Sequence, residues 1–226
     1  GFLEWLKIEQ PDILCIQETK AQPDQIDTKS FKELGYFSYL HSAEKKGYSG
    51  VAILSKMEAD FTKNGIGIND FDIEGRLIRA DYGDLTVLNS YFPSGTTGDI
   101  RQDVKMKYLD AIYDFAYELK KERPNIILAG DYNICHKEID ISNPHNKKGV
   151  SGFLPEERQW VSKFIESGFI DSFRLLDPSP NKYTWWSYRA GAKAKNLGWR
   201  IDYQMFTENL KSKIKKVEIQ NHISMS

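Results

Sequence analysis

The apolar run Ile126-Ile127-Leu128-Ala129, entered from Pro124 and left through Gly130, most constrains what this chain folds into. Consecutive aliphatic residues of this kind read as a strand covered on both faces, as in the interior of an α/β sheet. Such a strand needs layers on either side, so the rest of the chain must supply helices or a second sheet to bury it. The run also delivers Asp131 and Asn133, at i and i+2, to the carboxyl end of the strand, where ligands bind in open α/β sheets. Asp and Asn are favoured turn residues as well, so the pair reads either as a turn or as half of an active site.

The periodicity of the remaining chain supplies those layers. Apolar residues at Phe2, Leu3 and Leu6 predict a helix ended by Pro11, and a short buried strand follows over 12–17. A helical stretch near Ser30–Leu34 precedes predicted strands at 36–41, 51–55 and 59–63. Strands 76–82 and 85–92 flank Gly83-Asp84, a two-residue hairpin signal. From Gln102 to Lys121, Val104, Tyr108, Leu109, Ile112, Phe115, Ala116 and Leu119 form one helical stripe. A long loop is expected over 134–154, then a helix opened by Pro155. Strands at 170–173, 183–188, 200–206 and 214–219 complete the prediction. Two packed mixed β-sheets flanked by helices account for this order in a single α/β domain.

The formal net charge is −1, so any nucleic-acid surface has to be a local one. One segment qualifies. From Lys182 to Lys216 nine Lys or Arg residues, Arg189 among them, face only Asp202 and Glu208, and three of the five tryptophans lie in 183–203. Basic residues interleaved with aromatics suit a phosphate backbone with displaced bases or sugars. The alternative is a hairpin with core aromatics and solvated lysines. Cys15 and Cys135 lack metal-ligand spacing and point to a reduced, cytoplasmic protein. No signal-peptide pattern or bilayer-length apolar stretch occurs, so no membrane partner is expected.

Two further strand ends carry groups with chemical potential. Glu18, past the strand 12–17, is either a solvated turn residue or a ligand for a hard cation, which needs only one or two carboxylates. Tyr91, before Pro93, is either a core aromatic or a phenol at the sheet edge.

Six stretches in order resemble the exonuclease III / AP endonuclease family, within the endonuclease–exonuclease–phosphatase fold. They are Pro11-Asp12 through Gln17-Glu18-Thr19-Lys20, Gly47-Tyr48-Ser49-Gly50-Val51-Ala52, Glu74-Gly75-Arg76, Asn89 to Pro93, Gly130-Asp131-Tyr132-Asn133 and Gly198-Trp199-Arg200-Ile201-Asp202-Tyr203. The resemblance implies a four-layer α/β sandwich over residues 1–226, lacking the family's first strand and last strand region. It implies Mg2+-dependent (or Mn2+-dependent) phosphodiester hydrolysis by a monomer, 5′ to abasic sites in duplex DNA, leaving a 3′-hydroxyl. Action on 3′ ends, as exonuclease or in end cleaning, accompanies it. By motif position Glu18 is the metal ligand and Tyr91 contacts the phosphate. Asp131 orients or deprotonates water, Asn133 hydrogen-bonds the phosphate, and Asp202 supports the site. Trp199, Trp185 and Ile201 wall a sugar pocket, Tyr48 and Arg76 are candidates for DNA-backbone contact and local support, and Arg189 is a candidate DNA contact.

Against the family's pattern the sequence is expected to start after the strand that carries the upstream Asn and to stop, at Ser224-Met225-Ser226, at the Ser of the downstream Ser-Asp-His run, and His222 does not replace that His. The expectation is an intact protein that is active and a 226-residue chain that is impaired. The alternatives are a phosphatase or phosphodiesterase of the same fold on a non-DNA substrate, and a catalytically impaired DNA-binding relative.

Overall fold

The structure is a computed structural model that describes residues 1–221 and Ile223. The expectations for His222 and for Ser224–Ser226 lie outside the described residues. The contacts gather into two compact units, one of residues 1–91 and 125–130 with Ile223, the other of residues 92–124 and 131–221.

In the first unit, helix α1 (Phe2–Glu9) ends where Gln10 turns left-handed at φ 44° and Pro11 forbids continuation. Strand β1 (Ile13–Gln17), helix α2 (Thr28–Glu33) and strands β2 (Phe37–His41) and β3 (Val51–Ser55) follow. They form an antiparallel sheet in the order β1-β3-β2, with Cys15 and Tyr39 both opposite Ile53. Because side chains alternate along a strand, β3 feeds two cores. Leu54 joins Leu6, Phe31 and Tyr36, which α1 and α2 contribute to or cover. Val51 and Ile53 meet Ile78, Ala80 and Val87 of a second sheet. That sheet contains β4 (Phe61–Asn64), β5 (Leu77–Tyr82), β6 (Leu85–Tyr91) and β7 (Asn125–Asp131) as successive neighbours. Tyr82 lies opposite Leu85, so Gly83-Asp84 makes the expected two-residue hairpin. A short helix α3 (Asn69–Asp72), absent from the prediction, is tied down because the Asp72 carboxylate accepts the Ile66 and Gly67 N–H groups at 2.8 and 2.9 Å.

The second unit is built on helices α4 (Asp99–Glu122) and α5 (Pro155–Glu166). Phe92, Tyr108, Tyr132, Trp160, Phe164 and Phe169 form a continuous aromatic core, with Phe92 stacked on Tyr132 at 4.1 Å between centroids. The buried face of α4 keeps Tyr108, Leu109, Ile112, Ala116 and Leu119 of the predicted stripe, but Val104 and Phe115 are only half-buried and Lys105 joins the buried face instead. Strand β8 (Phe169–Asp171) is shorter than predicted. Helix α6 (Ser172–Leu176) starts there because the Asp171 carboxylate caps it, accepting the Arg174 N–H at 3.2 Å. The predicted strand 183–188 contracts to β9 (Trp185–Trp186), paired with β10 (Gly198–Trp199), and β11 (Asp202–Thr207) pairs antiparallel with β8. The segment 134–154 holds 3₁₀ turns at Glu138–Asp140 and Pro144–Asn146 and a bridge from Ile141 to Trp199. Residues 214–219 form no strand: their apolar residues fall at i, i+3 and i+5 and break the alternation that a sheet requires.

The architecture is an α/β sandwich of mixed sheets flanked by helices, as the sequence led us to expect. Among the described residues no helix is long and apolar enough to cross a membrane.

His136 is expected to make the fold pH-sensitive. It is 8% exposed, with Nε2 2.8 Å from Ser162 Oγ, and burial, aided by the Lys137 charge, pushes its pKa down to about 4. A histidine depressed on folding stabilises fully above its unfolded pKa of about 6.5 and loses that contribution as pH falls toward its folded value. Urea midpoints are expected to fall between about pH 6.5 and pH 4.5, and less steeply in His136→Gln. Identical slopes for the two proteins would refute this.

Candidate active site

In the first unit, β1 carries Gln17 to its end and Glu18 follows with a left-handed backbone at φ 55°. The turn is pinned from below, where Thr19 and Lys20 N–H groups donate to the Gly50 and Ser49 carbonyls at 3.1 and 2.8 Å. Gly50 stands at φ 87°, and a Cβ there would run into the Thr19 hydroxyl, so this approach requires glycine. Glu18 remains partly exposed and pairs with Lys20 at 2.5 Å. Behind it, fully buried Asn89 of β6 accepts Gln17 Nε2 at 2.5 Å and donates to the Ile16 and Ala52 carbonyls at 2.9 and 2.8 Å. Asn89 therefore fixes the strand end that presents Glu18.

Tyr48, Arg76 and Tyr91 come together around the guanidinium of Arg76, which is 2% exposed. Its Nε donates to Glu74 Oε2 at 2.5 Å, Nη1 to the Tyr91 carbonyl at 2.9 Å and Nη2 to Tyr48 Oη at 2.8 Å. It also lies 5.7 and 5.2 Å from the Tyr48 and Tyr91 ring centroids. The resemblance offered Tyr48 and Arg76 for backbone contact and local support, with Glu74 only as part of the Glu74-Gly75-Arg76 motif. In the structure Arg76 is a buried anchor that orients two tyrosines.

In the second unit, Asp131 ends β7, and Tyr132 turns into the aromatic core at zero exposure, so its neighbours Asp131 and Asn133 leave the core. Asp131 Oδ1 accepts the Asn133 N–H at 2.8 Å. Asn133 adopts φ 53°, and its amide donates to the Phe92 carbonyl at 3.0 Å and approaches Asp131 Oδ2 at 3.3 Å. Lys105 Nζ donates to the Asn133 carbonyl at 2.8 Å and pairs with Glu157 at 2.5 Å. Burial pushes the Lys105 pKa down, against the opposing charges of Glu157 and Asp131. Sequence reasoning missed both Lys105 and Glu157; the available signal was a lysine three and four residues before Tyr108 and Leu109 on a buried helix face.

The Tyr132 N–H donates to the Ile201 carbonyl at 2.9 Å, which couples this tip to the predicted pocket wall. Ile201 packs with Cys135, Ile141, Phe153 and Trp199. Trp185 and Trp199 face each other across β9 and β10, edge to face at 6.4 Å. Thr184 Oγ1 accepts the N–H groups of Ile201 and Asp202 at 3.1 and 3.2 Å. Arg189 lies exposed on the 187–196 turn, its N–H held by Ser187 Oγ at 3.2 Å. Arg200, inside the same motif, is buried and binds Asp140 and both oxygens of Asp171 at 2.6–3.2 Å.

The Endonuclease/Exonuclease/phosphatase family matches residues 1–223. The chain belongs to this family. It is 42% identical to an exodeoxyribonuclease from Bacillus subtilis (strain 168) over 219 residues, covering 96% of this chain and 85% of the relative. Among solved structures, an AP endonuclease from Archaeoglobus fulgidus superposes with a TM-score of 0.86 at 32% identity, covering 93% of this chain and 81% of its own. A 3′ phosphatase from Neisseria, bound to a product DNA hairpin, gives a TM-score of 0.87 at 25% identity, covering 93% and 82%. This family member is a hydrolase of the phosphodiesterase type.

Removing the Arg76 anchor leaves the Glu74 carboxylate without its closest charge partner. Arg76→Met is expected to lower the unfolding free energy by about 3 kcal/mol. Arg76→Lys should recover only part of that, since an ammonium cannot reproduce the fork. Urea denaturation measures both, and an unchanged midpoint in Arg76→Met would contradict the anchoring role.

Proposed function

We propose that this family member is a metal-dependent DNA-repair nuclease that cuts the phosphodiester bond 5′ to abasic sites in duplex DNA and leaves a 3′-hydroxyl. Cleavage or cleaning of 3′ ends draws on the same residues. The observation that carries the proposal is the Asp131-Tyr132-Asn133 tip. A carboxylate and an amide leave one strand end together, hydrogen-bonded to each other and tied by Tyr132 to Ile201, which packs with Trp199 in the pocket wall.

Phosphoryl transfer needs a poised water and fixed donors for the charge on the phosphate oxygens. Asp131 holds or deprotonates the water. The Phe92 carbonyl fixes one Asn133 N–H, and the longer contact to Asp131 Oδ2 is the one exchanged for a phosphate oxygen. Tyr91, oriented through Arg76, offers a phenol to the phosphate, and Asp202 supports the site. Trp199, with Trp185 and Ile201, walls a pocket that admits a base-free sugar and rejects an intact nucleotide by volume. An exposed Tyr188 beside Arg189, and Lys147 5.8 Å over the Trp199 ring, give the segment the aromatic and basic character that a DNA backbone favours.

Among the described residues no three His, Cys, Asp or Glu side chains gather as a metal site. Glu18 nevertheless fits a hard cation that keeps most of its waters: it is a partly exposed carboxylate on a pinned turn, held by an ammonium that a cation would displace. Bound there, Mg2+ would neutralise phosphate charge as a Lewis acid.

Cleavage of a labelled abasic duplex, with metal restored after chelation, tests the proposal. Asp131→Asn should lower kcat by about 10²–10⁴ while binding persists. Trp199→Ala should narrow the preference for abasic over intact duplex. Turnover of an inositol phosphate together with an inert abasic duplex would overturn the assignment.

A further inference from the structure

The Lys105–Glu157 pair is the deepest ionic contact of the second unit, with both side chains at zero exposure. An ion pair this deep is a poor source of stability, because desolvation offsets its attraction and apolar substitutes are often as good or better. Its bonds indicate a different use. Lys105 Nζ divides itself between Glu157 Oε1 and the Asn133 carbonyl. Glu157 Oε2 accepts the Gly152 and Leu154 N–H groups at 2.7 and 2.9 Å. Oε1 also accepts Gln102 Nε2 at 3.0 Å.

Both clamped segments need holding. Asn133 occupies the left-handed region, which costs on the order of 1 kcal/mol outside glycine. Gly152 stands at φ 95°, and a Cβ there would lie 3.1 Å from both the Asn133 carbonyl oxygen and the Trp199 ring. The Gly152 carbonyl in turn accepts the Cys135 N–H at 2.7 Å. The strand tip and the 151–154 turn therefore meet at one ion pair, and the Trp199 ring lies against Gly152 of that turn.

We propose that Lys105 and Glu157 are positioning residues, a buried clamp that sets the Asn133 backbone and its spacing from the Trp199 wall and so governs turnover without touching substrate. The inference rests on the nuclease reading above. A misplacement of about 1 Å at such a tip costs up to about 100-fold in rate.

Lys105→Met alone leaves Glu157 charged and unpaired, so it is expected to destabilise the fold. The decisive variant is Lys105→Met with Glu157→Gln, in which the amide carbonyl still accepts the Gly152 and Leu154 N–H groups and no charge remains. Its melting temperature should stay close to that of the unsubstituted protein. Its kcat on an abasic duplex should fall by about 10- to 100-fold with KM within about threefold. Amide hydrogen exchange should rise by about tenfold in peptides spanning 131–135 and 150–154, and stay unchanged in 51–55.

An unchanged kcat in the stable double variant, or a lowered kcat with unchanged exchange in those two segments, would overturn the clamp. If the unsubstituted protein cleaves no DNA while exchange in the variant still rises in the two segments, the clamp geometry is supported and the nuclease reading fails.

Discussion

Among the described residues three cations are held almost wholly out of water, and the local structure around Tyr91, Asn133 and the 198–203 motif depends on how each is compensated. Arg76, Lys105 and Arg200 are 2%, 0% and 1% exposed. Stripping such an ion of water costs several kcal/mol unless oxygens replace its hydration shell. The chain supplies those oxygens from loops, strand ends and the first turn of α5. Glu74, Tyr48 and the Tyr91 carbonyl converge on Arg76. Glu157 and the Asn133 carbonyl meet Lys105. Asp140 and Asp171 meet Arg200, with Arg174 also bound to Asp140. Burial opposes ionisation of Asp140, but the Arg200 hydrogen bond and charge prevail and hold its carboxyl below the usual range. Each of these segments is thus ordered by a charge that cannot be left alone.

This is also where the sequence is least legible. Strands such as Val51–Ser55 and Leu85–Tyr91 declare themselves by apolar content, and Gly83-Asp84 by turn chemistry. Asp131 and Asn133 could be singled out because a buried run ends in front of them. Lys105 is marked only by its place beside Tyr108 and Leu109, Glu74 only by the Glu74-Gly75-Arg76 motif, and Glu157 not at all. A lysine or glutamate on a helix reads as solvated until the partner that neutralises it is known, and those partners lie 52 residues apart for Lys105 and Glu157. The expected loop over 134–154 is an ordered segment for the same reason: Asp140, at zero exposure, is fixed by an arginine 60 residues away. Asn89 is hidden in the same way, since its amide bonds Gln17, Ile16 and Ala52 across 37 to 73 residues.

The basic, tryptophan-rich segment was open to two readings, and the structure divides it residue by residue. Tyr183, Arg200 and Tyr203 are 3%, 1% and 3% exposed and belong to the core. Tyr188 at 96% and Trp185 at 42% stand outside it. Lys193 lies 5.7 Å over the Trp186 ring, so a cation covers an aromatic face there without burying it. A near-neutral chain can hold a local basic surface because its charges are unevenly placed: residues 182–216 carry nine Lys or Arg against Asp202 and Glu208, and cations such as Arg189 and Lys193 stay exposed.

Asn133 shows why one residue type suits the strand tip. The left-handed backbone at φ 53° is tolerated by Gly, Asn and Asp. Glycine would satisfy the backbone and remove the amide that bonds the Phe92 carbonyl. Aspartate would satisfy it too, but would set a second carboxylate beside Asp131, raising the cost of ionising both. Asparagine alone combines the conformation, the donor and neutrality. Lys105 completes the arrangement from beneath, because its bond goes to the Asn133 main chain and leaves the side-chain amide to work above.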